Sequence, residues 1–317
     1  MHPAFSVLFL TTLIGAGQGL AIALFLAEFG AYVGWLPAAG TWFFAIGAAV
    51  AFVLTTLGLI ASFFHLGRPE RAWRSAARWR TSWLSREVIV LPAFMAALAV
   101  YAYAQVGESL FVTREWRLAA GAAVSLLALA LYVCTGMIYA CLKFLQEWAS
   151  PLTVLNFVLL GLASGFTLAS ALAAYLATGL LPFFAYGALL TIAAAFVGRG
   201  AALLRNARLK PKSTLQSAIG VRHPRIRQIS QGFMGGSFNT REFFHGRSVM
   251  FLRSIKWIFL VLAFPLPALL VVGGIAEGGP SLLLLAFVVQ YLGLLAERWF
   301  FFAQANHPQN LYYQAVA

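Results

Sequence analysis

Eight long runs of apolar residues, separated by polar stretches, dominate the chain. They fall near residues 4–29, 41–65, 87–106, 118–140, 152–177, 180–198, 255–274 and 281–303. Crossing the roughly 30 Å hydrocarbon core of a bilayer takes about 20 helical residues, and each run is near or above that length. Inside the runs, apolar residues follow one another without polar alternation, which favours helices over the strands of a membrane barrel. The expected fold is an all-α integral membrane protein: one transmembrane domain over 1–317, a bundle of about eight transmembrane helices. Only Thr178 and Gly179 divide the fifth run from the sixth, so a single kinked span is the alternative division there. Gly15 with Gly19, and Gly161 with Gly165, have the small-residue spacing that lets membrane helices approach closely.

Composition reinforces this picture. The chain is 62% hydrophobic and 10% charged, whereas soluble domains run near 45–50% and about 25%. The opening MHPAFSVLFLTT has neither a basic region ahead of its apolar run nor a small-residue cleavage site, so it reads as the first span. It carries no twin-arginine motif, which implies that any soluble catalytic partner is recruited separately. Cys134 and Cys141 lie seven apart in one apolar run and read as buried free thiols, with no disulfide or metal spacing.

The formal charge is +13, from 22 basic and 9 acidic residues. All the basic residues except Arg114 and Arg117 fall on connections and ends that share one side of the bundle. Retention of Lys and Arg on the cytoplasmic side predicts both termini there, in a multi-pass protein. Topology and anionic lipid headgroups account for the excess charge without a nucleic-acid partner. The connection between the sixth and seventh runs, 199–254, holds LKPKSTLQSAIGVRHPRIRQ and then QGFMGGSFNTREFFHG. Its aromatic residues and glycines argue for an ordered cytoplasmic cap.

Two segments carry candidate chemistry. In FFHLGRPERAWR (63–74) and TSWLSRE (81–87), His65 ends the second run and Glu87 opens the third, on either side of one connection. Converting a quinone to a quinol takes two electrons and two protons. A histidine can hydrogen-bond a headgroup oxygen and exchange a proton, and a carboxyl can relay protons to water. Ionisable groups at membrane depth are costly and point to function. On the other side of the balance, His65 can simply cap its helix, and Glu87 can pair with Arg86 or Arg68; position alone leaves the two readings even. In TGMIYACLKF (135–144), Tyr139 and Lys143 share a helical face and can join the same site, although a belt tyrosine and a snorkelling lysine are the plainer reading. Glu28, in the first run, lies towards the other side, where solvation explains it.

Some residue types are sparse. The five histidines are His2, His65, His223, His245 and His307, none of them mid-span, so no haem is expected. Two cysteines cannot hold an iron–sulfur cluster, and neither a metal motif nor a P-loop is present. Electrons would therefore arrive from a partner.

The segments MHPAFSVLFLTT, FFHLGRPERAWR, TSWLSRE, TGMIYACLKF and GGSFNTREFFHG together resemble the membrane anchor subunit of the dimethyl sulfoxide reductase family. The resemblance implies a haem-free, eight-helix anchor that holds an iron–sulfur subunit and a molybdopterin catalytic subunit at the membrane. Such an anchor exchanges electrons between ubiquinone or menaquinone and the nearest cluster. In that family the histidine ending the second helix and the glutamate opening the third serve the quinol site, which maps to His65 and Glu87, with Arg86, Tyr139 and Lys143 nearby. Arg68, Arg71, Arg74, Asn239 and Arg241 are then candidates for docking the iron–sulfur partner. Within the family the chain looks most similar to anchors of cytoplasmic sulfite dehydrogenases, which implies sulfite oxidation with quinone reduction; a dimethyl sulfoxide reductase anchor oxidising menaquinol is the alternative. From other classes, a secondary transporter would need paired broken helices and midplane ionisable groups, and a passive tether would need no quinone site.

Overall fold

A computed structural model describes residues 5–106, 113–210, 212, 214–227, 229, 248–277 and 279–305. Among these it shows helices and no strands: α1 (Phe5–Tyr32), α2 (Thr41–Phe63), α3 (Trp83–Val106), α4 (Arg114–Ala140), α5 (Pro151–Leu176), α6 (Leu181–Ala207), α7 (Leu215–Ile219), α8 (Val249–Ala263), α9 (Pro265–Glu277) and α10 (Pro280–Ala303). Eight segments are long and apolar enough to span a membrane, and the seventh of them is built from α8 and α9. Large apolar side chains such as Leu126, Leu190 and Leu269 stay exposed on the outside of the bundle, where lipid replaces water as the solvent. Exposed tryptophans gather at the helix ends, Trp35 and Trp42 at one and Trp73 and Trp79 at the other, like an interfacial aromatic belt.

Local chemistry sets the breaks. The fifth and sixth runs are two spans: α5 stops at Leu176, a 3-10 turn covers Thr178–Leu180, and Pro182 sits in the first turn of α6, where its missing N–H costs nothing. Ser150 caps α5 by accepting from the Leu152 N–H. The seventh span departs from the uninterrupted run expected. Phe264 is non-helical and separates α8 from α9, because Pro265 and Pro267 cannot donate to the preceding turn. The Ala263 carbonyl that Pro267 leaves free accepts instead from Gln290 of α10 (3.5 Å), a side chain buried between the helices.

The glycine spacing does what it suggested. A Cβ on Gly19 would lie 2.1 Å from the Gly161 carbonyl oxygen, and one on Gly165 2.1 Å from the Gly19 carbonyl carbon. The backbones of α1 and α5 are therefore in contact, which van der Waals packing between membrane helices rewards. The connection after α2 forms a 3-10 helix, Pro69–Arg78, exposed along most of its length. In the connection after α6, the described part contains α7, opened by a Thr214–Ser217 capping box and closed by Gly220 at φ 72°. Residues 230–247, with Asn239 and Arg241, lie outside the described residues.

Three readings are corrected. Arg199 belongs to α6, not to the connection, and Arg298 belongs to α10; both are buried, so neither is a charge held in the loops by topology. Glu28 is buried rather than solvated. Of the cysteines, only Cys134 is buried; Cys141 is exposed at the end of α4, where the helix stops.

Candidate functional site

At the basic end of the bundle, the helix ends converge on a narrow cleft. It is lined by Thr11, Thr12 and Gln18 of α1, Glu87 of α3, Tyr132 and Thr135 of α4, Phe157 and Ser164 of α5, and Arg298 of α10, among others. The space in it open to a water-sized molecule is about 30 Å³, room for one or two waters.

Most polar groups on its wall are already occupied. Gln18 donates to the Ala128 carbonyl (2.7 Å), Tyr132 to the Gly15 carbonyl (2.7 Å) and Ser164 to the Gly161 carbonyl (3.0 Å). Thr12 Oγ1 bonds the Leu8 carbonyl (2.7 Å) and lies 3.1 Å from the Tyr291 hydroxyl. Glu87 accepts from the Thr135 hydroxyl across the α3–α4 interface. Glu87 sits one turn inside α3 because the tryptophan-rich connection before it, with Trp83 at the start of the helix, holds that end at the interface.

Behind this wall lies a buried ion cluster that sequence reasoning missed. Arg199 Nε is 2.6 Å from Glu297 Oε1, and Arg298 Nε is 2.5 Å from Glu297 Oε2. Their side chains are 2%, 0% and 5% exposed, so the whole group is out of solvent. The guanidinium of Arg199 lies over the Phe259 ring and that of Arg298 over Phe157 (4.3 Å) and Phe301 (4.7 Å), which offsets part of their lost hydration. Arg298 Nη1 is buried with no hydrogen-bond partner among the described residues. The signal that could have found the cluster was Glu297-Arg298 standing inside an apolar run.

The other candidates are distributed around the cleft. His65 stands exposed on the turn after α2 and does not line the cleft. Desolvation by its neighbours lowers its pKa from the ordinary 6.5. Arg86 is tied to its own connection, donating to the Trp79 and Arg80 carbonyls (both 2.9 Å) and lying over the Trp83 ring. Tyr139 is packed in an aromatic cluster with Trp148, Phe157, Phe301 and Phe302. Lys143 is exposed just past the end of α4. Arg68, Arg71 and Arg74 are exposed around the 3-10 helix, with Arg74 over Trp73 and Arg71 4.0 Å from Glu70. The cleft therefore joins Glu87 to Arg298 and leaves His65, Arg86, Tyr139 and Lys143 off its wall.

Comparison with known proteins now adds to the geometry. The family model described as "DMSO reductase anchor subunit (DmsC)" matches residues 1–302. The chain belongs to this family of membrane anchors. It is also 54% identical, over an alignment of 327 residues covering all of both chains, to the C subunit of the sulfite dehydrogenase of Allochromatium vinosum. The resemblance noted in the sequence segments thus extends over the full length. As an anchor of this family, the chain is a multi-pass membrane protein and one component of a larger oxidoreductase.

Proposed function

We propose that this chain is the quinone-reactive anchor of a sulfite-oxidising molybdopterin enzyme in a bacterial inner membrane, with both termini in the cytoplasm. Sulfite and water are converted to sulfate by the catalytic subunit. The two electrons released pass through an iron–sulfur subunit to a quinone at the anchor, which takes up two protons and leaves as quinol. The observation that carries this reading is a carboxyl, Glu87, on the wall of a cleft among apolar helices at the end where the basic residues gather. The full-length likeness to a sulfite dehydrogenase component supports sulfite as the electron source. The family description keeps dimethyl sulfoxide reduction, the same quinone chemistry in the opposite direction, as a second reading.

Glu87 relays protons between the headgroup and water, and Thr135 fixes its orientation. His65, at the cytoplasmic edge, binds the outer headgroup oxygen as the quinone enters from the lipid. The exposed arginines Arg68, Arg71 and Arg74 offer polar contacts to the iron–sulfur partner, and Asn239 and Arg241 are further candidates for docking it.

The test uses the complete complex purified from membranes. His65→Leu is expected to abolish sulfite-dependent quinone reduction while the subunits still co-purify and sulfite still reduces an artificial acceptor such as ferricyanide. Quinone turnover at the wild-type rate would remove His65 from the site. Co-purification with no molybdenum or iron–sulfur subunit would end the reading as a whole.

A further inference from the structure

The buried cluster carries two guanidiniums against one carboxylate. A purely structural group so far from solvent gains most when its charges cancel, because each uncompensated charge keeps its desolvation penalty. Here one positive charge is left over. Both arginines keep a buried N–H with no partner among the described residues, Arg199 Nη2 and Arg298 Nη1, but of the two only Arg298 also forms part of the cleft wall. Its other ring and ion contacts among the described residues are Nε on Glu297 and the guanidinium plane on Phe301 and on Phe157, itself on the cleft wall. A donor held this firmly, buried and unsatisfied, is the arrangement expected of a site that waits for an acceptor.

We propose that Arg298 is a second headgroup-binding residue of the cleft. Its guanidinium donates to the inner quinone oxygen and holds the negative charge which that oxygen acquires as electrons arrive ahead of protons. The cavity beside it, about 30 Å³, has room for one oxygen of the headgroup, and the ring lies outside it towards the open mouth. This rests on the quinone reading above. The balance is that of quinone reduction: two electrons from the partner's iron–sulfur centre and two protons, at least one of them by way of Glu87, give the quinol. No bond to Arg298 forms or breaks. Oxygen recognition is thereby divided, with a fixed cation at the inner oxygen and titratable groups on the water side. A planar guanidinium suits the inner position because it cannot lose its proton and so cannot short-circuit the relay.

The test is Arg298→Gln in the complete complex, with decylubiquinone as the probe. Gln removes one charge and leaves the neutral pair Arg199–Glu297, so assembly is expected to survive. The expected result is a fall in kcat/KM for decylubiquinone of roughly 10- to 100-fold, the scale of a lost hydrogen bond to a charged group. KM should rise, and sulfite-dependent ferricyanide reduction should stay at the wild-type rate. A merely structural role would lower both activities together. Arg298→Lys keeps the charge and the contact with Glu297 and should recover part of the loss. An assembled Gln variant with wild-type kcat/KM for the quinone overturns the proposal; if Gln prevents assembly, a Lys variant with wild-type kcat/KM overturns it. Glu87→Gln separates the two levels. If it abolishes quinone reduction while Arg298→Gln does not impair it, the quinone reading stands and the role of Arg298 falls. A wild-type complex that does not reduce decylubiquinone at all sinks both.

Discussion

At one end of the bundle, Glu28 of α1 accepts from the Tyr101 hydroxyl (2.6 Å) and Gln105 Nε2 (2.9 Å) of α3, and Arg117 Nε of α4 lies 3.8 Å away. At the other end, one carboxylate, Glu297, is shared by Arg199 and Arg298. The first group has one carboxylate, one guanidinium and two neutral donors, so its charges cancel. Arg117 is also 20% exposed and retains some water. The second group is sealed and keeps a positive charge beside a cleft. Buried polar groups are tolerated when they are satisfied. Neither group is fully satisfied among the described residues: Gln105 Oε1 and Arg117 Nε are buried without a hydrogen-bond partner at one end, Arg199 Nη2 and Arg298 Nη1 at the other. What separates them is charge and space: the balanced Glu28 group clamps α1, α3 and α4, and the Glu297 group keeps a positive charge on the cleft wall. Burial of charge alone therefore does not mark a functional site; an unbalanced charge beside free space does.

The two ends differ most at Glu297. Glu297→Gln leaves two buried guanidiniums without a counter-charge, and breaking a buried pair of this kind costs about 3–5 kcal/mol. A large loss of assembled complex, or of its thermal stability in detergent, is expected; a stable variant would show that the cluster is not closed to water. Next comes Gly165→Ala, whose new Cβ would meet the Gly19 backbone rather than a movable side chain. Overpacking of this sort costs about 1–3 kcal/mol. Because Gly15 and Gly161 line the cleft between α1 and α5, KM for quinone should change along with stability. The smallest effect on quinone turnover belongs to Tyr101→Phe, which removes one donor from the Glu28 carboxylate and costs about 1.5–3 kcal/mol of stability. Its quinone kinetics should match the wild type, and a defect as large as that of Arg298→Gln would erase the distinction between the two ends.

Continuous apolar runs made the spans legible, because lipid demands an unbroken helical stretch and leaves little freedom in the choice of residue. Close packing at the paired glycines was legible too, but not which helices it joins; that the glycines of α1 and α5 meet is seen only in the fold. Prolines at 265 and 267 marked the break in the seventh span, but run length concealed it. The ion cluster was hidden because Arg199 and Arg298 sit at the ends of apolar runs, where a basic residue usually reports topology. Glu28 misled in the mirror-image way: its place near a span end suggested water, yet Tyr101 and Gln105, more than 70 residues along the chain, close over it. Pairings that bridge helices so distant in sequence leave no local trace.

Glu87 is the fifth residue of α3, which at 1.5 Å per residue places it about 6 Å inside that helix, roughly a fifth of the way across the hydrocarbon core. A full elementary charge crossing the whole membrane gains about 2.3 kcal/mol per 100 mV; one that stops at this depth feels about 0.5. A proton delivered there from the near side does almost no work against the voltage, so the reaction should run at nearly the same speed on an energised vesicle as on a collapsed one.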